Sequence, residues 1–305
     1  MKQYVFNNSR QKPGKTMSID VKTLSFSVVI PAKNEALAIF ELVSAIKALY
    51  TAVELIVVDD GSTDQTSEQA KNAGAKVVSH PYSKGNGAAI KTGIRNASHD
   101  IVVFMDGDGQ HDPKDIELLV TKIIKGYDLV VGARQSGSQA SLGRGIANSI
   151  YNKLASYMTN HKVEDLTSGF RAARTDKIKE FVHLLPNGFS YPTTSTMAFF
   201  RAGYSVAYVP IHAAERIGKS HIKLFKDGVR FLLIIFKIGT LYSPLKMFLP
   251  VSVSVFLIGM SYYAYTFFTV GRFTNMSALM FTTALIIFMV GLVSEQITQL
   301  TYTKK

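Results

Sequence analysis

Short runs of apolar residues alternate with helical patterns over the first half of the chain. The runs predict five strands, at Phe26–Pro31, Glu54–Asp59, Ala75–Ser79, Ile101–Met105 and Asp128–Gly132. The pattern predicts helices between them, over Glu35–Tyr50, after Asp64, over Gly87–Ala97 and from Pro113. Such alternation is typical of βαβ units, so we predict an α/β domain with a mostly parallel sheet.

The pattern changes after about residue 220. Cationic residues recur at helical spacing among apolar ones over residues 222–238, which favours an amphipathic helix at a membrane surface over a surface helix on a soluble core. Two uncharged apolar stretches follow, at about 247–270 and 277–294, separated by a turn at Gly271–Asn275. Helices of this length can span the hydrocarbon core of a bilayer, which is about 30 Å thick. We therefore predict a transmembrane hairpin rather than a soluble pair of helices.

These changes divide the chain into five predicted segments. They are a flexible basic tail (1–22), an α/β domain (23–215), a juxtamembrane amphipathic segment (216–246), a transmembrane hairpin (247–298) and a short tail (299–305). The first segment lacks the apolar run of a secretory signal peptide.

The net charge of +12 predicts a polyanionic partner, and its distribution predicts an orientation. Residues 213–246 contain seven Lys or Arg and only two acidic residues, and the chain ends in Lys304–Lys305. The turn between the two spans, by contrast, carries only Arg272. By the positive-inside rule, we expect an integral membrane protein whose α/β domain and both termini are cytoplasmic. Charge concentrated beside the membrane argues against nucleic acid as the partner. The sequence contains no Cys, which excludes disulfides and thiolate metal sites.

Polar motifs follow the predicted strands where ligands bind to parallel sheets. Asp106 and Asp108 come directly after the fourth strand, and Gln110 adds an amide oxygen. Two carboxylates at this spacing can bind one Mg²⁺ or Mn²⁺ together with substrate phosphates. The alternative is that they are turn or helix-capping residues.

Three further motifs have two interpretations each. Asp59 and Asp60 can bind ribose hydroxyls or a base edge, while Ser62 and Asp64 can cap the next helix. The glycine-rich stretch 84–87 either contacts a phosphate or is a plain loop before a helix. His111 is either a metal ligand or a hydrogen-bonding neighbour of the metal site.

Six motifs, in order, resemble those of family 2 glycosyltransferases with the GT-A fold. The resemblance is closest to the dolichyl-phosphate mannose synthase and polyprenyl-phosphate glycosyltransferase branch with two C-terminal transmembrane helices. The motifs are Pro31-Ala-Lys-Asn-Glu35, Asp59-Asp-Gly-Ser-Thr-Asp64, Lys84-Gly-Asn-Gly-Ala88, Asp106-Gly-Asp-Gly-Gln-His-Asp-Pro113, Thr167-Ser-Gly-Phe-Arg171 and Arg216-Ile-Gly-Lys-Ser220.

The resemblance implies a role for each matching position. The nucleotide pocket would be lined by Pro31, Ala32, Glu35, Asp60 and Asp106. The metal, Mg²⁺ or Mn²⁺, and the donor pyrophosphate would be held by Asp106, Asp108 and Gln110. The acceptor phosphate would be bound by Arg134, Arg144, Arg216 and Ser220. Asp165 is a further catalytic candidate as an acid near the acceptor, with a helix cap or surface carboxylate as the alternative.

The resemblance also implies a reaction, the inverting transfer of a hexose from a UDP- or GDP-linked sugar to undecaprenyl or dolichyl phosphate at the cytoplasmic membrane face. A phosphate monoester has a second pKa of about 6, so it attacks with little help from a general base. One alternative is a membrane glycosyltransferase that extends a glycan; the absence of Trp argues against its processive form, which carries Gln-x-x-Arg-Trp. Another is a non-catalytic scaffold of the same fold, against which the intact acidic motifs argue.

Overall fold

The structure is a computed structural model, and it describes residues 20–134, 142–188, 190–212, 236 and 239–303. The side chains of residues 142–148 and 301–303 are outside the described set. Most of the predicted basic tail and of the predicted juxtamembrane segment also lies outside it, so those two predictions stay predictions.

One mixed sheet of seven strands forms the centre of the α/β domain. The strands are β1 (Ser27–Ala32), β2 (Glu54–Asp59), β3 (Lys76–Ser79), β4 (Ile101–Phe104), β5 (Leu129–Arg134), β6 (Arg171–Arg174) and β7 (Val206–Ile211). Their order is β3-β2-β1-β4-β6-β5-β7, and β6 runs antiparallel to both of its neighbours while the other pairs are parallel. The predicted α/β fold with a mostly parallel sheet is therefore confirmed.

Nine α-helices surround or follow the sheet in the described part of the chain. They are α1 (Ala36–Leu49), α2 (Thr66–Asn72), α3 (Asn86–Asn96), α4 (Ile116–Ile124), α5 (Leu142–Thr159), α6 (Thr175–Glu180), α7 (Tyr191–Arg201), α8 (Pro244–Val270) and α9 (Asn275–Thr303). Alternate residues of β1 point to opposite faces of the sheet, so Val28 and Ile30 join the core under α1 and α4, whereas Val29 joins the core under α3 and α7.

The sequence pattern missed β6 and β7. Strand β6 is only four residues long and has an arginine at each end, so it lacks the apolar run that marked the other strands. Strand β7 contains Pro210, and it lies at the edge of the sheet, where a missing N–H is tolerated. Pro31 lies in a central strand, but β4 pairs only with Ser27–Val29 and ends before reaching it.

The predicted turn between the two apolar stretches is confirmed at Gly271. This glycine has a φ of 67°, and its N–H donates to the Phe267 carbonyl, 3.0 Å away, where α8 ends. Helices α8 and α9 then pack together with Gly259 against Met280, and the Ser252 hydroxyl donates to the Ala284 carbonyl at 2.7 Å. Small residues allow such close approach between helices.

Both helices are long and apolar enough to cross a membrane. The candidate spans are Pro244–Val270 and Asn275–Leu300, with mean hydropathies of 1.6 and 2.3. They contain the predicted stretches 247–270 and 277–294. Only 11% and 17% of the two apolar windows is buried within the protein, unlike the core helices of a soluble domain. An apolar surface of this extent is typical of contact with lipid.

A loop carbonyl leaves no room for a side chain at Gly87, near the start of α3. A Cβ there would lie 2.0 Å from the Pro186 carbonyl oxygen, whereas a Cβ at Gly188 would meet nothing within 4 Å. We expect Gly87→Ala to lower the free energy of unfolding by about 1–3 kcal/mol through overpacking, measured by thermal unfolding in detergent. Gly188→Ala is the matched control; equal stability of the two variants would contradict this packing.

Candidate active site

The Asp106-Gly-Asp108 segment lies against the carboxyl end of β1. The Met105 N–H donates to the Val29 carbonyl at 3.1 Å, and a Cβ at Gly107 would lie 3.3 Å from the Pro31 carbonyl oxygen and 3.5 Å from Ala32. Glycine therefore lets the acidic segment approach β1 closely. The structure thus brings Asp106 and Asp108 to the sheet edge that holds Pro31 and Ala32, as the sequence predicted.

The Asp106 carboxylate also lies against the loop before β6. A Cβ at Gly169 would lie 2.6 Å from Asp106 Oδ2, so the carboxylate contacts bare backbone there. The Tyr191 hydroxyl, at the start of α7, donates to the Gly169 carbonyl at 3.0 Å. Helix α7 thereby holds the backbone against which Asp106 rests.

The acidic segment has the chemistry of a divalent cation site. The backbone turns back at Gly109, with a φ of 72°, and the Gln110 N–H donates to Asp108 Oδ1 at 3.2 Å. Two carboxylates and one amide on a single loop fit Mg²⁺ or Mn²⁺, which completes its oxygen ligands with substrate phosphates. Among the described residues, no group of three His, Asp or Glu side chains is arranged to hold a metal by itself.

Ser62 and Asp64 act on the preceding loop as well as on their own. The Ser62 hydroxyl accepts from the Asn34 N–H at 3.0 Å, and Asp64 Oδ2 accepts from the Ala36 N–H at 3.2 Å, at the start of α1. Asp64 Oδ1 also accepts from the Thr66 N–H at 3.0 Å, but the N-cap of α2 is Gln65, which makes no side-chain cap, so the predicted capping of α2 by Ser62 or Asp64 is not found. These bonds connect the β1–α1 loop, which carries Glu35, to the β2–α2 loop.

Asp60 is buried at the centre of a hydrogen-bond network. Its Oδ1 contacts His80 Nδ1 at 2.7 Å and accepts from the Lys84 N–H at 2.8 Å, and its Oδ2 accepts from Ser83 Oγ and the Gly85 N–H, both at 2.8 Å. Burial alone would raise the pKa of Asp60, but these hydrogen bonds outweigh it and the pKa is lowered. The predicted nucleotide contact of Asp60 is untested, while its hold on the 83–85 loop is clear.

The glycine-rich stretch before α3 contacts protein backbone. The Gly87 N–H donates to the Gly188 carbonyl at 3.1 Å and the Ala88 N–H to the Asn187 carbonyl at 2.8 Å. A Cβ at Gly85 would lie 2.6 Å from the Asn187 carbonyl oxygen. The Gly87 and Ala88 amides are therefore occupied by protein carbonyls, and contact of the stretch 84–87 with a phosphate stays a prediction.

Arg134 and Asp165, predicted separately as acceptor-binding and catalytic residues, form an ion pair. Arg134 Nε donates to Asp165 Oδ2 at 2.8 Å and Nη2 to Oδ1 at 3.0 Å. The N–H groups of Thr167 and Ser168 also donate to Oδ1, each at 3.1 Å. Burial raises the pKa of Asp165, but the Arg134 guanidinium and these bonds lower it overall, which makes it a poor proton acceptor.

Sequence reasoning missed the role of Arg171, which is fully buried in β6. Its Nη1 donates to the Pro192 carbonyl at 2.7 Å and to Ser195 Oγ at 2.8 Å, and its Nε donates to the Ser168 carbonyl at 3.1 Å. Burial lowers its pKa. The guanidinium thereby joins the loop before β6 to the first turn of α7. The available signal was its place in the motif Thr167-Ser-Gly-Phe-Arg171.

His111 lies beside the acidic segment and is buried, with its ring stacked on Phe170 at a centroid distance of 4.9 Å. Burial lowers its pKa to about 4, so the ring is neutral near pH 7. Its Nδ1 has no hydrogen-bond partner among the described residues. The structure gives His111 the position of a neighbour of Asp108 and leaves metal ligation untested.

Three of the predicted acceptor-binding residues are described in part or not at all. The backbone of Arg144 lies in the first turn of α5, but its side chain is outside the described set. Arg216 and Ser220 lie outside the described residues. Their predicted contacts with a phosphate stay predictions.

A mixed α/β sheet with an Asp-x-Asp loop at the carboxyl end of a central strand defines a class of protein, the glycosyltransferases of GT-A type. The chain belongs to glycosyl transferase family 2, which matches residues 27–182. Residues 243–300 match the GtrB C-terminal hairpin. The enzyme class and the two C-terminal apolar helices predicted from the sequence are thus confirmed.

Similar sequences come from an archaeon and a bacterium. An uncharacterized protein of Methanocaldococcus jannaschii is 36% identical over 163 residues, which cover 51% of this chain and 67% of that protein. The undecaprenyl-phosphate 4-deoxy-4-formamido-L-arabinose transferase of Salmonella choleraesuis is 32% identical over 200 residues, 62% of this chain. The match spans 60% of the Salmonella transferase.

Similar solved structures include complexes of glucosyl-3-phosphoglycerate synthase from Mycobacterium tuberculosis. One contains Mn²⁺, UDP and glucosyl-3-phosphoglycerate; it has a TM-score of 0.57 and 28% identity, and the match covers 70% of this chain and 78% of that chain. Another, with Mg²⁺ and UDP, has a TM-score of 0.56 and 28% identity, with 70% and 77% covered. Divalent metal and UDP thus occur together in structures of this fold.

A side chain at Gly169 would collide with the Asp106 carboxylate. We expect Gly169→Ala to displace Asp106 and to reduce the initial rate of sugar transfer roughly ten- to a hundredfold, because small misplacements of reacting groups are costly. We also expect the Mn²⁺ concentration that gives half of the maximal rate to be higher than in the wild type, because the displaced Asp106 would bind the metal less tightly. Gly188→Ala serves as the control. Wild-type rates for Gly169→Ala at all metal concentrations would contradict the contact.

The buried, neutral His111 links stability to pH. An unfolded chain protonates this residue near its ordinary pKa of about 6.5, whereas the folded protein does so only near 4. Its contribution is therefore present above pH 6.5 and is lost as the pH falls toward 4, by about 1.4 kcal/mol per pH unit.

We expect His111→Phe, which keeps a ring against Phe170, to reduce the loss of thermal stability between pH 7 and pH 5. Unfolding is measured in detergent with EDTA present, and His183→Gln, at an exposed position, is the control. Identical pH profiles for His111→Phe and the wild type would exclude this linkage.

Proposed function

We propose that this chain transfers a hexose from a UDP- or GDP-linked donor to a polyprenyl phosphate, undecaprenyl or dolichyl, at the cytoplasmic membrane face, with inversion at the anomeric carbon. The observation that supports this proposal most directly is that α7 connects the Asp106 site to the apolar hairpin. At its start, Tyr191 holds Gly169 against Asp106; further along, the Thr194 carbonyl accepts from the Tyr242 hydroxyl at 2.8 Å, just before α8. A site fixed to a membrane hairpin suits a lipid acceptor.

The donor side is formed by the loops after β1, β2 and β4. Asp106, Asp108 and Gln110 would hold Mg²⁺ or Mn²⁺, which supplies charge neutralisation for the leaving diphosphate. Pro31, Ala32 and Glu35 lie at the same sheet edge and would line the nucleotide pocket. Asp60 supports this side by fixing the 83–85 loop. The metal and UDP in complexes of the Mycobacterium tuberculosis synthase support the assignment.

The acceptor side is assigned to Arg134 together with Arg144, Arg216 and Ser220. The ion pair with Asp165 uses Nε and Nη2 of Arg134, so we assign Nη1 to the acceptor phosphate. Guanidinium groups bind phosphate oxygens with directional, charge-assisted hydrogen bonds. In this proposal Asp165 positions Arg134, and its lowered pKa fits that role better than proton transfer.

The chemical step needs no general base. A phosphate oxygen of the acceptor, already ionised near neutral pH, attacks the anomeric carbon and forms the new C–O bond. The bond from that carbon to the donor diphosphate breaks on the opposite face, and the diphosphate leaves with the electron pair. A single displacement of this kind inverts the anomeric centre. The Salmonella relative is an undecaprenyl-phosphate transferase by name, which supports a phosphate acceptor of this type.

The test is transfer by the purified chain in Mn²⁺ buffer from a panel of UDP- and GDP-linked hexoses to undecaprenyl or dolichyl phosphate, with mass spectrometry of the lipid product. We expect Asp108→Asn to reduce the rate roughly a hundredfold or more, because it removes a charge placed at the reacting phosphates.

Asp112→Asn, in the same loop, is the matched control. Asp112 caps a short 3₁₀-helix by accepting from the Lys114 N–H at 2.9 Å, a role that asparagine fills as well. Full activity of Asp108→Asn would contradict the metal assignment. Transfer only to a water-soluble phosphate monoester would contradict the lipid acceptor.

A further inference from the structure

The start of α8 is attached to the end of α5 through Lys246. Its Nζ donates to the carbonyls of Tyr157 and Met158, both at 3.1 Å, and to Asn160 Oδ1 at 2.8 Å. The last carbonyls of a helix lack partners within the helix and carry the negative end of its dipole. Lys246 therefore caps α5 from a different segment of the chain.

A second attachment joins the end of α7 to α9. Arg201 Nη2 and Glu295 Oε1 lie 2.8 Å apart, and both side chains are partly buried, with 28% and 18% exposed. The Leu245 N–H donates to Glu295 Oε2 at 3.4 Å, so the same carboxylate also contacts the start of α8. A partly buried pair is screened less by water and salt than an exposed one.

A buried contact lies between these two attachments. Tyr242 is buried and donates to the Thr194 carbonyl of α7, and the Ser243 hydroxyl donates to the Met158 carbonyl at 3.4 Å. We call Tyr242, Ser243, Lys246 and Glu295 the hairpin base. Its contacts include the C-terminal end of α5 and both the first turn and the end of α7.

Both helices lead from the hairpin base back to the candidate active site. Helix α7 begins at Tyr191, which holds Gly169 against Asp106. Helix α5 carries Arg144 in its first turn and is about 27 Å long at 1.5 Å per residue. A shift or tilt at the hairpin base would therefore move the backbone of both halves of the site relative to the membrane.

We propose that Lys246 and the Arg201–Glu295 pair are positioning residues that fix the height and tilt of the active site above the membrane. They act on a lipid acceptor because the phosphate of such an acceptor stays at the level of the lipid headgroups and cannot move to meet a displaced site. They do not act on a soluble acceptor, which diffuses to the site from any direction. The inference rests on the proposed function, which supplies the lipid acceptor.

The competing explanation is that these residues only stabilise the fold, and it predicts a different result. Loss of folded protein would lower transfer to every acceptor by the same factor. Loss of positioning would lower transfer only to an acceptor that is anchored in a bilayer. A comparison of the two kinds of acceptor on the same folded preparation separates the explanations.

The experiment uses the full chain in lipid nanodiscs. Transfer to undecaprenyl phosphate in the disc is compared with transfer to geranyl phosphate added in solution, for Lys246→Met, Glu295→Gln and the charge exchange Arg201→Glu with Glu295→Arg. Methionine keeps the length of the lysine stem but removes the ammonium group. Lys76→Met is the matched control, because the Lys76 side chain is exposed and its ion pair with Glu54, at 3.9 Å, lies on an edge strand of the sheet, away from the hairpin base.

We expect kcat/KM for undecaprenyl phosphate to fall roughly ten- to a hundredfold in Lys246→Met and Glu295→Gln, since misplacement of about 1 Å has effects of this size. The value for geranyl phosphate should stay at the wild-type level. The charge exchange should recover most of the lipid activity lost in Glu295→Gln, and Lys76→Met should match the wild type with both acceptors.

Equal losses with both acceptors, or no loss with undecaprenyl phosphate, would overturn the positioning role. If the charge exchange stays as poor as Glu295→Gln, the Arg201–Glu295 ion pair alone does not carry the positioning role, because the exchange also removes the carboxylate that accepts from the Leu245 N–H. A wild-type chain that transfers sugar to neither prenyl phosphate contradicts the proposed function itself, and the positioning inference falls with it. Melting temperatures of all variants identify any that lose the fold. If Glu295→Gln is one of them, the two acceptors are compared with the charge exchange in its place.

Discussion

The acidic segment after β4 lies close to two other segments of the chain because a glycine stands at each contact. Gly107 lies against the end of β1 and Gly169 lies against the Asp106 carboxylate, so this carboxylate, two residues from Asp108, is held between chain segments far apart in sequence. Such crowding of negative charge is unfavourable unless cations lie nearby. The electrostatic influence of Asp106 reaches both Arg134 and Arg171, which supply that compensation.

The two arginines differ in what they do with their charge. Arg171 is fully buried and donates hydrogen bonds to carbonyl and hydroxyl oxygens, which fixes α7 to the loop before β6. Arg134 is partly exposed and is oriented by Asp165, which gives it a defined direction at the sheet edge. The Arg171 guanidinium thus has a structural role beside the site, whereas the Arg134 guanidinium is partly exposed to solvent. Both depend on the short 165–171 loop.

The sequence predicted the elements whose signals are local. Apolar runs gave the first five strands, and polar residues at their ends located Asp106, Asp108 and Asp60 on one side of the sheet. Strand β6 escaped notice because its register is set by β4 and β5 rather than by its own composition. The pairing of Arg134 with Asp165, and the carbonyls of Asn187 and Gly188 over α3, join positions separated by 31 to about 100 residues. No periodicity in a single sequence encodes such contacts.

The tight connection at Gly271 also bears on how the chain enters a bilayer. Only a few residues separate α8 from α9, and Arg272 is the one charged side chain among them. An arginine at the centre of the hydrocarbon costs about 2.5–3.5 kcal/mol on insertion scales, which two long apolar helices entering together readily offset. In the proposed orientation, with both termini on the cytoplasmic side, the two helices can insert together as one unit and no large domain has to cross the membrane. The hairpin follows the enzyme domain along the chain, so it is synthesised after that domain.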